Sequence, residues 1–304
     1  MSKITLKHLR YFEALARTGH FGRAAETAAI SQPALSMQIK ELEQTLGAAL
    51  FDRGARAVRL TPQGEEFGQK AREILRLVDE LEDSARLARD QIAGRLRLGV
   101  IPTVAPYLLP QVIAELARAY PALDLQLRET ITPRLLQELG EGRLDCAIVA
   151  LPVSEPALVE VPLFAEDFVL VRPLLDADKP VPEAESLREM RLLLLEEGHC
   201  FRDQALSFCK LRTTAPREMM DGSSLTTLVQ MVGAGIGVTL IPEMAVPVET
   251  RLAPVAVAGF AAPRPSRQIG MVWRRSSPLG RQLAAIAEVV QSCGEAALLR
   301  ARVK

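Results

Sequence analysis

The chain has 304 residues, enough for two or three domains, and 48% of them are hydrophobic, which excludes a disordered chain and allows sizeable buried cores. Lys plus Arg equals Asp plus Glu at 37 each, so the overall charge gives no sign of a nucleic-acid partner. The first 60 residues differ: nine basic side chains against five acidic ones leave a net charge of +4, the mark of a basic module joined to a neutral or acidic remainder.

The opening MSKITLKHLRYFEALA has neither a long apolar core nor a small-residue cleavage site. No run of about 18 apolar residues follows it, so a cytoplasmic protein without membrane contact is expected. Residues 6–46 read as three short helices. Leu6, Leu9 and Phe12 begin an apolar stripe, and Gly22 to Ala29 make a short alanine-rich helix whose small side chains permit close packing. In SQPALSMQIKELEQTLG, Ser31 suits an N-cap and Pro33 a first turn. Leu35, Ile39, Leu42 and Leu46 share one face, and Gly47 ends the helix. Gln32, Ser36 and Lys40 recur every four residues on a separate polar flank. Two short helices, a tight turn and a polar-faced helix make a helix-turn-helix pattern, whose second helix enters the major groove with its N-terminal residues near base edges. Gln32, Pro33, Ser36 and Lys40 are therefore the candidate DNA contacts.

Next, LFDRGARAVRLTPQG reads as a β-hairpin wing turning at Gly54 and carrying Arg53, Arg56 and Arg59, placed to contact phosphates. Without the helix-turn-helix before it, the same run would also read as a solvated hairpin. Thr61 and Pro62 start a long helix reaching about Asp90. Its apolar positions Phe67, Ala71, Ile74, Val78, Leu81, Ala85 and Ala88 follow steps of four and three, a heptad seam. The seam is expected to pair with a second copy in a homodimer; the alternative is that it packs on its own domain. Gly94 breaks the pattern and serves as a hinge. From Arg95, strand-like RLRLGVI, LDLQLRE, CAIVAL, FVLVRP, LLLLEE, GVTLIP and IGMVWR alternate with helical PYLLPQVIAELARAY, PRLLQELGEG and GSSLTTLVQMVGAG, ending in an amphipathic helix around Leu283 to Val290. This alternation predicts an α/β domain with mostly parallel strands, in two lobes around a cleft.

The stretches LKHLRYFEALARTGHFGRAAETAAISQPALSMQIKELEQTLGAALFDR and RLTPQG resemble the winged helix-turn-helix of the LysR-type transcription regulators. The remainder is similar to that family's two-lobed, periplasmic-binding-protein-like effector domain. The resemblance implies an α/β architecture with a DNA-binding domain at 1–60, a dimerisation linker helix at 61–93 and an effector domain at 94–304. Lobe I would comprise about 95–163 plus 268–304 and lobe II about 164–267, joined by crossover strands near 160–168 and 263–270. It further implies double-stranded promoter DNA and RNA polymerase as partners, a homotetramer built on the dimer, no cofactor and no enzyme activity. A closer similarity, to the family's peroxide-sensing members, rests on IPTVAPYLLP at 101–110, GRLDCAIVALP at 142–152, EVPLF at 160–164, EEGHCFRDQALSFC at 196–209 and GAGIGVTLIP at 233–242. It implies hydrogen peroxide as the signal, antioxidant genes as the targets and a thiol reductant such as a glutaredoxin system. Cys200 would be the reactive cysteine and Cys209 its resolving partner, with Thr103, Thr132, His199, Arg202 and Asp203 as candidates for the peroxide site.

The residue chemistry is compatible with that implication. The thiolate is the nucleophile, and cations or a helix N-terminus favour it. His199 precedes Cys200 and Arg202 follows it, at the start of a helix after Gly198. Peroxide would convert such a thiolate to a sulfenic acid, which condenses with a second thiol. Were 200–209 one helix, its ends would lie roughly 13 Å apart, against at most about 7 Å for a disulfide. Unless the reduced segment is already a loop, oxidation must remodel it and change the burial of Phe201, Leu206 and Phe208, as a switch requires. On spacing alone, two cysteines nine apart are more often coincidence than a couple. Cys146, in an apolar strand, reads as core, and Cys293 as incidental. No CxxC pair or fourth ligand points to a metal. Three rival readings are a LysR regulator of a small organic effector bound in the cleft, a thiol peroxidase fused to a DNA-binding sequence, and a periplasmic transport receptor, which the lack of a signal-peptide pattern disfavours.

Overall fold

The computed structural model describes residues 4–53, 58–87, 92–183, 186–188, 190–208 and 221–302. Of the residues singled out above, Gly54, Arg56, Ala88, Asp90 and Cys209 lie outside the described residues, as do the side chains of Arg53 and Ala85. The chain divides into two compact units, 1–89 and 90–304.

The first unit opens with α1 (Leu6–Thr18), α2 (Phe21–Thr27) and α3 (Gln32–Leu46). Each helix starts on a side-chain cap. The Thr5 hydroxyl accepts from His8 N while Thr5 N donates back to His8 Nδ1, both at 3.3 Å. Ser31 Oγ accepts from Ala34 N at 3.4 Å, and Gly47 ends α3 in the left-handed region. Leu9, Phe12, Leu15, Leu35, Ile39 and Leu42 meet in one core, with the Phe12 ring 5.0 Å from Phe51 and 4.9 Å from Phe67. The wing strands β1 (Phe51–Arg53) and β2 (Val58–Leu60) pair antiparallel, Asp52 opposite Arg59. Glu43 Oε1 accepts from Leu50 N at 2.9 Å and Phe51 N at 3.1 Å, which ties α3 to the wing.

The long helix α4 (Pro62–Leu87) is capped by Thr61, whose Oγ1 accepts from Gly64 N at 3.0 Å and donates to Ala49 O at 2.7 Å. A Cβ on Gly64 would lie 2.0 Å from Leu50 O, so only glycine lets the helix start this close to the wing. The heptad seam divides. Phe67 and Ala71 pack into this unit's own core rather than forming part of a free stripe, because the first turns of α4 ride on α1. Ile74, Leu77 and Leu81 are 44%, 52% and 71% exposed, with Val78 half-buried.

The second unit runs β3 (Gly94–Val100), α5 (Ala105–Ala119), β4 (Leu123–Glu129), α6 (Thr132–Gly140), β5 (Cys146–Leu151), β6 (Leu158–Pro173), β7 (Leu192–Leu195), α7 (Cys200–Phe208), β8 (Asp221–Gly222), α8 (Leu225–Gly233), β9 (Val238–Pro242), α9 (Val246–Glu249), β10 (Val255–Gly259), β11 (Ser266–Arg274) and α10 (Gly280–Arg302). Its nine strands form one sheet in the order β4-β3-β5-β11-β6-β9-β7-β8, with β10 on β6. The expected mostly parallel sheet is in fact mixed. β3 runs parallel to β4 and β5, and β7 parallel to β8 and β9, but β6 and β11 are antiparallel to every neighbour. The reason lies in β6: its first half pairs with β11 and its second with β9 and β10, so one continuous strand passes from lobe to lobe.

Each lobe has its own core. Leu98, Val100, Leu108, Val112, Ile148, Val272 and Ile286 belong to the first, Phe168, Leu170, Leu193, Phe201, Leu228 and Leu240 to the second. Two residues straddle the division. Tyr107 packs against both cores, and Cys200 packs on the first while Phe201, Ala205 and Leu206 of the same helix fill the second.

Candidate functional site

In the first unit the buried stripe of α3 leaves the opposite flank free. Gln32, Pro33 and Lys40 are exposed and Ser36 is half-buried. Met37, at 63% exposure, adds an apolar contact on that flank that sequence reasoning did not single out. Arg59 is exposed on the wing. A helix presenting amide, hydroxyl, ammonium and methyl groups beside an arginine-bearing hairpin can read base edges and hold phosphates.

In the second unit a cavity of about 290 Å³ opens between the lobes. The first lobe contributes Thr103, Tyr107, Glu129, Thr130 and Ile131 to its walls, and the second Leu195, His199, Ser223, Ser224, Thr226 and Glu249. Behind one wall lies a buried ion pair. Arg267 and Glu166 are direct cross-strand partners on β11 and β6, with both side chains fully buried. Arg267 Nε and Nη2 donate to Glu166 Oε1 at 2.8 and 2.6 Å, Nη1 donates to Thr103 Oγ1 at 2.7 Å, and Nη2 to Thr103 O at 3.0 Å. Its guanidinium carbon lies 5.4 Å from the centre of the Phe201 ring. A hydroxyl has one proton and two acceptor positions, so Thr103, accepting from Arg267, still has a proton to donate.

Within the cavity lining, Tyr107 OH donates to Glu249 Oε1 at 2.6 Å, joining α5 of one lobe to α9 of the other. Burial first, and the Glu249 carboxylate second, push the Tyr107 phenol far above its usual range, so it remains a donor. Burial also lowers the pKa of His199, partly offset by Glu196, which favours the neutral imidazole. Cys200, the first residue of α7, is a free, half-buried thiol that directly follows the wall residue His199 in the chain. Gly198 sets up that start: its φ is +93°, and a Cβ there would meet Ile131 Cδ1 at 2.7 Å, across the lobe division.

Residues 6–65 match the bacterial regulatory helix-turn-helix proteins of the lysR family, and residues 89–294 match the LysR substrate binding domain. The chain belongs to the LysR family. A probable hydrogen peroxide-inducible genes activator of Streptomyces viridosporus is 46% identical over 275 residues, 89% of this chain and 88% of the relative. The DNA-binding transcriptional dual regulator OxyR of Escherichia coli K12 is 40% identical over 295 residues, 95% of each chain. Among solved structures, a full-length OxyR variant from Pseudomonas aeruginosa superposes with a TM-score of 0.77 at 37% identity, covering 96% of each chain. A Corynebacterium glutamicum OxyR mutant with hydrogen peroxide bound gives 0.68 at 36% identity, covering 98% of this chain and 95% of that one.

Within this LysR-family chain, the residues singled out from the sequence scatter. Thr103 and His199 come together on the cavity wall, with Cys200 beside His199. Thr132 starts α6 with its Oγ1 buried and unpartnered among the described residues, while Thr130 is the threonine of that loop lining the cavity. Arg202 is buried and donates Nη1 to Leu195 O at 2.7 Å, bracing α7 against the end of β7. Asp203 is exposed. Sequence reasoning missed Arg267, Glu166, Tyr107 and Glu249. Arg267 and Glu166 did carry a signal, as opposite charges within the two expected crossover strands, but only strand register makes them a pair. Among the described residues no cluster of three or more His, Cys, Asp or Glu can hold a metal, and no helix is long and apolar enough to cross a membrane.

Proposed function

We propose that this LysR-family protein is a peroxide-responsive regulator of transcription, with Cys200 as the sensing thiol and Cys209 as its resolving partner. The observation that carries this reading is the position of Cys200. It is a half-buried thiol at the start of α7, packed on one lobe's core while the next residue fills the other's. Cys146 and Cys293 are buried, and burial pushes both thiols up in pKa.

The Cys200 thiolate attacks one peroxide oxygen, the O–O bond breaks, and the sulfur becomes a sulfenic acid as hydroxide leaves and takes a proton to form water. The Cys209 thiolate attacks that sulfur and displaces a second hydroxide, so two thiols and one peroxide end as a disulfide and two waters. Thr103 donates to the peroxide, and Thr132, His199, Arg202 and Asp203 shape or brace its site. The helicity of α7 as far as Phe208 supports a remodelling step. Eight helical rises of about 1.5 Å place Phe208 roughly 12 Å from Cys200, and one further Cα step of about 3.8 Å cannot close that to the 7 Å limit. Forming the disulfide therefore unwinds α7 and displaces Phe201 from its place beside the Arg267 guanidinium.

In this reading residues 1–60 hold promoter DNA through Gln32, Pro33, Ser36, Lys40, Arg53, Arg56 and Arg59. Residues 61–93 dimerise through Ile74, Val78, Leu81 and Ala85, and 94–304 sense and assemble a tetramer that contacts RNA polymerase. A glutaredoxin-type reductant resets the thiols. Thiol mass mapping before and after a stoichiometric dose of peroxide tests it. A 200–209 disulfide in the parent chain and a sulfenic acid at Cys200 in Cys209→Ser support the reading; four equally sluggish thiols refute it. The size of the cavity favours a second reading. Its 290 Å³ far exceeds the ~30 Å³ share of a water-sized molecule, so an organic effector would fit. A DNA footprint indifferent to peroxide but shifted by a metabolite would select that alternative.

A further inference from the structure

We infer that the interlobe cavity selects by charge, with Glu249 as its main specificity-determining residue: it admits uncharged oxidants to Cys200 and holds off anionic ones. This rests on the reading that oxidants reach Cys200 through the cavity wall carrying His199.

The walls of this cavity hold two carboxylates, Glu129 and Glu249, and no lysine or arginine among the described residues. The remaining polar groups are neutral. His199 is shifted toward the uncharged imidazole, and Tyr107 is held protonated. Of the buried cations beside the cavity, Arg267 is matched by Glu166 at 2.6 Å, and Arg202 is turned to Leu195 O at 2.7 Å behind the wall. Two features oppose the carboxylates: α7 begins at Cys200 itself, and the N-terminus of α8 borders the cavity at Ser224 and Leu225, each helix start offering about half a positive charge. Ser224 already satisfies one of the free amides of α8 by accepting from Thr227 N at 3.2 Å.

Against these partial charges Glu249 sets a whole one. Glu249 as a whole residue is 8% exposed, and the Tyr107 hydroxyl that it accepts from carries no charge. A whole buried charge in a low-dielectric wall acts with little screening. Glu129 is exposed, so salt attenuates its contribution. A cleft lined by one sign of charge changes the local concentration of ions by about tenfold or more. Hydrogen peroxide is uncharged near pH 7 and escapes this effect; an anionic oxidant such as peroxymonosulfate does not.

Two reagent pairs test the inference on the full-length protein. In the first, Cys200 is alkylated by iodoacetamide, which is neutral, or iodoacetate, which is anionic and of nearly the same size. The thiolate displaces iodide in both. The ratio of the two rates, read by mass mapping and divided by the same ratio for a free small thiol, is expected to disfavour iodoacetate by about tenfold at low salt. Rising ionic strength should shrink that bias in the unmodified protein. Glu249→Gln should shrink it severalfold and Glu129→Gln less. The second pair, hydrogen peroxide and peroxymonosulfate, should show the same order. A normalised ratio near one, a bias that grows with salt, or a Glu249→Gln ratio equal to the parent's overturns the inference. Slow oxidation of Cys200 by hydrogen peroxide beside a clear alkylation bias would instead defeat the sensor reading and leave charge selection standing.

Discussion

The two units of this LysR-family chain are held together in different ways. In the first, the polar contacts that shape the DNA-reading surface are local: Ser31 caps α3 three residues on, Thr61 caps α4 at Gly64, and Glu43 reaches the wing only seven and eight residues away. In the second, the cavity wall depends on Arg267 reaching Thr103 across 164 residues and Tyr107 reaching Glu249 across 142. Local contacts form as their element forms. Long-range buried charge forms only when both lobes have closed, so it couples the site to the whole effector fold.

Removing one partner of the buried pair should therefore be the most damaging change. Arg267→Ala leaves Glu166 as an uncompensated buried carboxylate and is expected to cost about 3–5 kcal/mol, read by denaturant unfolding. Arg267→Met combined with Glu166→Leu should recover much of that loss; a double variant as unstable as the single one would break the argument from charge compensation. Tyr107→Phe removes the donor to a buried carboxylate and should cost about 1.5–3 kcal/mol. Hydrogen exchange should show amides of both lobes losing protection together, and loss confined to α9 would mean that this bond does not join them.

Smaller effects belong to the first unit. Ser31→Ala should cost about 1 kcal/mol and loosen only the start of α3. Exchange in the effector unit should stay as before, and weakening there would erase the contrast between local and long-range construction. The least effect is expected from His199. Because burial lowers its folded-state pKa below the ordinary 6.5, the unfolded chain takes up the proton first as pH falls. His199 thus contributes stability above pH 6.5 that is lost progressively below it, until its lowered folded-state value is passed. A His199→Gln chain should show a shallower fall of stability in that window, and an identical slope would mean that His199 is not the titrating group.

Much of the first unit was readable in order along the chain. Ser31, Pro33, Leu35, Ile39, Leu42 and Gly47 lie where helical periodicity and capping chemistry put them, because those signals act over one to four residues. The long helix was equally legible as a helix, but its seam was not. Phe67 and Ala71 obey the heptad spacing and still pack on α1, since periodicity specifies a face and not what covers it. In the effector unit the alternation of strands and helices was visible, whereas the mixed sheet was not, because strand direction depends on which segments return between lobes.

The residues alone determined the winged helix-turn-helix, the α/β character of the remainder, and the placement of Cys200 at a helix start beside His199. These follow from local propensity, apolar period and neighbouring groups. Only the tertiary structure decided that Thr103 meets Arg267, that Tyr107 meets Glu249, that Thr130 rather than Thr132 faces the cavity, and that Cys200 sits where two cores adjoin. Such contacts are set by strand register and lobe closure. Their energy comes from burying charge and apolar surface together, which no short window of sequence contains.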